Sequence, residues 1–358
     1  NSPVDIIYTN DDPEDIIRFF TRIKEYRDFG LSKSEVVEKL FVEFACAVPG
    51  KGESGIKNKI SSSHFKKIQP SGVPLLFKED PQSSNLVISR GCPWFCSFCN
   101  ESFRTKPYSE VPVREVISSA LDIKKNNGSE EISLFSFNFN AHSHIEEIIG
   151  ELHKYFRVVS LKSQRFDILS LKSEFLKILQ FSGKTSITCG LEGISERLRS
   201  YLSKDLSGTE LQQSLASLLN SPIRTLKIFL IATGLEEERD YCELTELTAL
   251  IKSNAEGRPR PPRIVFSLTP LVRFPGTPQG SEKAYSIEVM QAAVEIISGI
   301  VTSQGFEFRS TGSVYEYWIS QVLLRNSSDA FSDAVRKTLN ETGFIYYNSV
   351  GKQFYDKL

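Results

Sequence analysis

The run Cys92-Pro-Trp-Phe-Cys96-Ser-Phe-Cys99 gathers three of the chain's six cysteines into a C-x3-C-x2-C spacing. Cysteines scattered at random would give this spacing in roughly two of a thousand chains of this length and composition, so chance is a weak rival. Thiolates this close together can all reach one soft metal centre. Three are one short of the four that close a structural zinc site or an ordinary iron–sulfur cluster. A [4Fe–4S] cluster held by three cysteines keeps one iron open to another molecule. Zinc with a distant fourth ligand is the bland alternative, but His64, His142, His144 and His153 are the only histidines, and none has zinc-knuckle spacing. A disulfide framework would leave one thiol of the three over. Cys46, Cys189 and Cys242 stand alone in apolar or helical contexts and read as small buried hydrophobes.

Outward from this loop the chain alternates. Strand-like runs at 85–90, 131–137, 157–162, 184–189, 224–232 and 263–269 are each followed by helical periodicity. The clearest helix is 112–124, with Val113, Val116, Ile117, Ala120 and Leu121 on one face; others are expected near 143–155, 171–181, 208–219, 237–254 and 286–304. Six strand–helix units in series predict a parallel sheet curled into a partial barrel with right-handed crossovers. Chemistry in such sheets sits at the C-terminal strand ends, and the cysteine loop begins just past the first strand.

With its aromatic Phe98 before the last cysteine, the loop resembles the cluster loop of the radical S-adenosylmethionine (radical SAM) superfamily. The wider run from Ile88 to Asn100 is most similar to the branch that often carries an N-terminal cobalamin-binding domain. The resemblance covers about residues 75–305 and is specific at the cysteines, looser elsewhere. It implies an α/β fold, a partial (β/α)6 TIM-like barrel of the radical SAM type. Its implied metal ligands are Cys92, Cys96 and Cys99 on a [4Fe–4S] cluster. S-adenosylmethionine would bind the open iron through its amino and carboxylate groups, and one electron would split a carbon–sulfur bond to give a 5′-deoxyadenosyl radical. A reducing partner such as a flavodoxin or ferredoxin is implied as well; methylation is one outcome, and the substrate, small molecule or peptide, is not legible. The non-catalytic alternative is an iron–sulfur or zinc protein that uses the barrel as a binding scaffold.

Relatives place a polar residue after the third strand, a Gln or Glu after the fourth and a cation further on. By that resemblance Ser163 and Glu192 contact the ribose or amino group and Lys204 the carboxylate, as hydroxyl, carboxylate and ammonium chemistry permits. The alternative is that Glu192 caps the next helix and that Arg197, Arg199 and Lys204 form a solvated face. Lys227–Gly234 resembles the strand whose backbone pairs with adenine. Many relatives carry a Gly-Gly-Glu-like segment after the second strand; this chain has Phe135-Ser-Phe-Asn138-Phe-Asn140 there, leaving the Asn138 amide oxygen to accept from the amino group. His142 and His144 follow, as surface histidines or, less simply, substrate acid–base groups. The turn around Pro270 and Arg273–Pro278 is similar to a Pro-x-Thr-Pro stretch over the active site of cobalamin-type relatives.

Three segments are expected: an N-terminal α/β remnant with its connector over 1–84, the barrel over 85–305, and a mainly helical C-terminal cap over 306–358. In the first, a strand Val4–Thr9 precedes two helices, one capped by Asp12 before Pro13 with a stripe of Ile16, Ile17, Phe20 and Ile23, the other opened by a capping box Ser32-Lys-Ser-Glu35. Residues 1–50 look like the end of a cobalamin-binding Rossmann-like domain, but they hold no histidine and too little area to enclose a corrinoid, so cobalamin is not expected to bind this chain alone. Two explanations are open, a fragment, which the absent starting methionine slightly favours, or a member that works without cobalamin. The net charge of −1 gives no electrostatic case for nucleic acid, and no apolar run reaches the ~18 residues of a membrane span. Reduced thiols fit a cytoplasmic location.

Overall fold

A computed structural model describes residues 4–10, 13–55, 83–138, 141–161, 163–171, 185–325, 329–341, 343 and 350–356. The chain divides into two compact units, Asn1–Pro70 and Ser71–Leu358.

In the first unit, strands β1 (Ile7–Tyr8), β2 (Cys46–Val48) and β3 (Gly52–Glu53) pair antiparallel, with helices α1 (Pro13–Asp28) and α2 (Lys33–Glu43) between β1 and β2. The capping box is present: the Ser32 hydroxyl accepts from the Glu35 amide while the Glu35 carboxylate accepts from Ser32, satisfying two otherwise orphaned donors. The apolar stripe on α1 is phased differently from the expectation. Phe19 is buried and Ile17 and Phe20 are exposed, because Phe19, Ile23 and Tyr26, at i, i+4 and i+7, face Phe44 and Leu40. Cys46 is buried with its Sγ 3.7 Å from the Leu40 carbonyl, a packing role. Asp12 and His64 lie outside the described residues.

The second unit carries the sheet. Strands β4 (Ser83–Val87), β7 (Glu131–Phe135) and β8 (Val158–Leu161) pair parallel in the order β4-β7-β8. A second parallel run pairs β9 (Ser163–Arg165), β10 (Ser186–Glu192), β11 (Thr225–Ala232), β12 (Arg263–Pro270) and β13 (Glu307–Ser310) in sequence order. β8 and β9 follow one another almost directly, so the third strand of the series is shared between two sheets, and this break bends the layer into an arc. Among the described residues no pairing joins β4 to β13. The fold is therefore α/β with parallel strands in a partial TIM-like arrangement, and β13 adds one strand beyond six.

Crossover helices follow the strands: α4 (Val113–Asn127) after β4, α5 (Ile145–Leu152) after β7, α8 (Gly208–Asn220) after β10, α9 (Glu238–Glu256) after β11 and α10 (Ile287–Ser303) after β12. Their apolar stripes are the buried ones: Ile145, Ile148, Ile149 and Leu152 on α5, and Leu211, Leu215, Leu218 and Leu219 on α8. Short helices α3 (Asn100–Arg104), α6 (Phe166–Leu171) and α7 (Glu196–Tyr201) sit in the strand-end loops, where no long periodic pattern announces them. A hairpin of β5 (Ser89–Arg90) and β6 (Ser109–Glu110) brackets the cysteine loop. After β13 come α11 (Val314–Arg325), α12 (Asp329–Glu341) and α13 (Val350–Tyr355), with Trp318 of α11 edge-on to Tyr355 at 4.9 Å. The helix expected at 171–181 and the aromatic tail 344–347 fall mostly or wholly outside the described residues.

Candidate active site

The cysteine loop is held from both sides. Ser97, between Cys96 and Cys99, donates its amide to the Leu202 carbonyl (3.0 Å) and its hydroxyl to the Tyr201 carbonyl (3.1 Å). Gln279, from the turn after β12, donates its side-chain amide to the Ser97 hydroxyl at 2.8 Å. The loop is thereby tied to the segments that follow the fourth and sixth strands. On its N-terminal side Gly91 takes φ +70°, and a Cβ there would stand 2.5 Å from the Thr105 carbonyl oxygen. Only glycine fits that combination of left-handed backbone and close approach. Gly91→Ala should cost about 1–3 kcal/mol of local strain and lower both the thermal midpoint and the iron taken up on reconstitution. Gly299→Ala, on an exposed turn of α10 with nothing in the way, is the matched control. Equal midpoints for the two variants would show that the loop does not need its glycine.

All three thiols are free; Cys96 is buried and Cys92 and Cys99 are half-buried. Burial pushes the Cys92 and Cys96 thiols up, and the Lys204 and Arg165 charges pull Cys96 part of the way back. Among the described residues no three His, Cys, Asp or Glu side chains converge on one metal-ion position. A cubane cluster takes one thiolate per iron, so its ligands stand apart by construction.

Next to the loop lies a cavity of about 300 Å³, lined by strand ends all around the arc. Asn138 comes from the end of β7, Gln164 and Arg165 from β9, Gly190 and Glu192 from β10, Lys204 from the loop after α7, and Thr269 from β12. Phe98 of the cysteine loop, Phe137 and the β11 residues Phe229, Leu230 and Ile231 give it apolar walls. Lys204 Nζ meets Glu192 Oε1 at 3.4 Å, and both side chains are largely buried. Glu192 holds a φ of +68°, uncommon for a non-glycine residue, at a register shift where β10 bulges against β11. That bulge turns its carboxylate toward the cavity. Gly190 makes room for it: a Cβ there would lie 2.1 Å from Glu192 Oε1 and 3.3 Å from Lys204 Nζ. The amide oxygen of Asn138 and both polar atoms of the Gln164 amide are buried without a hydrogen-bond partner. Buried amides left unpaired cost about 1–3 kcal/mol each, and a site that awaits a polar ligand accounts for several of them in one wall.

Of the residues expected at the site, Asn138, Glu192 and Lys204 come together there. Ser163 pairs through its backbone with Thr188 of β10; its side chain is outside the described residues. Gln164 and Arg165 stand in the polar run Ser163–Asp167 after the third strand, where only Ser163 is assigned a role from the sequence. Nothing in periodicity marks them, since β9 is three residues long and its strand is split between sheets. Arg197 and Arg199 form no solvated face. Arg197 pairs with buried Asp240, and Arg199 donates to the Leu206 carbonyl at 3.0 Å and to Glu243, pinning α7 from below. Burial works against the Asp240 carboxylate, yet Arg197 and Ser195 hold it below its ordinary range. His142 is fully buried rather than superficial: Nε2 faces the Val111 carbonyl at 3.1 Å and Nδ1 accepts from the His144 amide at 3.1 Å, so both nitrogens serve the fold. His144 is exposed. Cys189 is buried in β10, whereas Cys242 is exposed on α9.

Residues 86–246 match the model of the Radical SAM superfamily. The matched stretch takes in the cysteine loop and the strands from β7 to β11. Proteins of that superfamily use a [4Fe–4S] cluster and S-adenosylmethionine, and the free thiol triad here, with the unpaired amides beside it, suits both. Among curated proteins, the chain is 22% identical over 227 residues to an uncharacterized protein of Methanocaldococcus jannaschii, covering 62% of this chain and 49% of that one. It is 36% identical over 70 residues to the tRNA-2-methylthio-N(6)-dimethylallyladenosine synthase of Pelagibacter ubique, covering 20% of this chain and 16% of the synthase. The chain thus spans about half the length of the first relative and far less of the second. Among solved structures it resembles the radical S-adenosylmethionine methyltransferase TsrM of Kitasatospora setae with cobalamin and [4Fe–4S] cluster bound, at 11% identity and a TM-score of 0.49 over 76% of this chain and 60% of that one. Among the described residues no helix is long and apolar enough to cross a membrane.

Proposed function

We propose that this chain binds a [4Fe–4S] cluster through Cys92, Cys96 and Cys99 and cleaves S-adenosylmethionine reductively beside it, to begin radical chemistry on a separate substrate. The cofactor pair supplies the radical; the protein supplies orientation, charge and exclusion of water. The observation that carries the reading is the single cavity wall where the unpaired amides of Asn138 and Gln164 and the Glu192–Lys204 pair stand beside the cysteine loop. Each group matches one part of the molecule. The Lys204 ammonium suits a carboxylate, the Glu192 carboxylate suits ribose hydroxyls or an ammonium, and the Asn138 oxygen accepts an amino proton. The aromatic and aliphatic walls keep solvent from the reacting carbon–sulfur bond. Ser163 is assigned to the same wall through its strand position. The barrel strands from residue 85 form the catalytic body in this reading, with 306–358 as its cap. The radical's substrate, with methylation as one outcome, is left to the loops at the strand ends, which carry no readable motif.

The test is anaerobic reconstitution with iron and sulfide, then incubation with dithionite and S-adenosylmethionine. 5′-Deoxyadenosine and methionine should appear in equal amounts, and substitution of Cys96 should abolish them. A reconstituted protein with its full iron complement that forms neither product would replace this reading with that of a non-catalytic cluster protein.

A further inference from the structure

One charged group in the cavity wall has no part in the ligand assignments above. Arg165 is 4% exposed, and its guanidinium is fixed on three sides. Nε donates to both Asp167 carboxylate oxygens, at 3.0 and 3.1 Å. The guanidinium plane lies over the Trp94 ring, 4.4 Å from its centroid. Nη1 points at the sulfur of Cys96 at 3.8 Å. Trp94 and Cys96 belong to the cysteine loop, and Arg165 is the last residue of β9, so one side chain joins loop to sheet through the sulfur itself.

Resting on the cluster assignment above, we infer that Arg165 sets the reduction potential of that cluster by donating an N–H···S hydrogen bond to the Cys96 thiolate. Potentials of iron–sulfur clusters depend on net charge, hydrogen bonds to the sulfurs and solvent exposure. Arg165 acts through the first two. In the reduction, a one-electron donor (dithionite in the assay) gives one electron to the cluster, which passes from the 2+ to the 1+ state. No bond to Cys96 breaks and no proton moves. The added electron raises the charge density on the sulfurs, so the bond from a fixed cation is stronger in the reduced state, and the potential rises. Arginine suits the task because it stays charged and its planar fork serves Asp167, Trp94 and Cys96 at once, which a lysine cannot do. Asp167 opposes it: its negative charge offsets the guanidinium, so the two residues pull the potential in opposite directions.

The test is a redox titration of the anaerobically reconstituted chain, followed by electron paramagnetic resonance without S-adenosylmethionine, so that no effect on ligand binding enters. At the midpoint potential of the parent, Arg165→Gln should lower the ratio of reduced to oxidised cluster at least tenfold, which for a one-electron couple is a downward shift of 59 mV or more. Arg165→Lys should lower it less, and Asp167→Asn should raise it. A merely structural Arg165 would change the iron content but not the ratio. An unchanged ratio in Arg165→Gln at full iron content overturns the inference, as does an Asp167→Asn shift in the same downward direction. Should Arg165→Gln fail to hold its cluster, Asp167→Asn decides: a raised ratio supports the assignment, and an unmoved or lowered one ends it. A parent chain that takes up no iron would instead remove the cluster assignment on which this one stands.

Discussion

Replacing Cys92, Cys96 or Cys99 by alanine will strip the chain of iron. The parent, reconstituted without oxygen, should hold about four irons and absorb broadly near 400 nm, as thiolate-ligated clusters do (roughly placed). A three-cysteine set has no spare ligand, so each substitution removes a bond that no neighbour can replace; among the described residues no other thiol belongs to this loop. Iron should fall to near zero in all three variants, and reductive cleavage with it. Cys242→Ala, at an exposed position on α9, and Cys46→Ala, in the other compact unit, should keep the full complement. Iron and absorbance measured on the five variants give the result directly. Retention of the cluster in any of the first three, or its loss in the controls, would mean the ligands are misassigned.

The second large effect concerns the charged pair across the cavity. Glu192→Gln keeps the shape of its side chain and removes its charge, and Lys204→Met keeps most of the apolar stem and removes the ammonium. Each loses a charge-assisted hydrogen bond worth ~1.5–3 kcal/mol, so binding of S-adenosylmethionine should weaken by roughly ten- to a hundredfold while the cluster stays in place. The two groups touch at 3.4 Å, so the double variant should lose less than the product of the single losses. Gly190→Ala should match Glu192→Gln or exceed it, because its Cβ would occupy the space of Glu192 Oε1. The readout is the ligand-induced change in the electron paramagnetic resonance spectrum of the reduced cluster, titrated against ligand concentration. Parent-like titration curves for both single variants would detach this pair from the cofactor.

The long crossover helices were legible from the sequence because α4, α5, α8, α9 and α10 each keep an apolar stripe against the sheet for two turns or more. The cysteine loop was legible from spacing alone. Glu192, Lys204 and Asn138 were named from the family resemblance, and all three line one cavity. What escaped was local. Gln164 and Arg165 sit on a three-residue strand that no periodicity can reveal. The burial of His142 and Arg199 depends on partners about 30 to 45 residues away in sequence, Val111 and Glu243. The phase error on α1 arose because Phe19, Phe20, Ile16 and Ile17 offer two overlapping stripes, and only the packing of Phe44 chooses between them.

Ser97 binds the cysteine loop to Leu202, Tyr201 and Gln279 through protein atoms alone. The conformational entropy of the loop is therefore given up when the polypeptide folds, not when metal arrives. Metallation then resembles the docking of a rigid guest into a preorganised socket, unlike a zinc finger, where the ion and the fold appear together. The binding energy of the cluster goes into holding iron rather than into ordering chain.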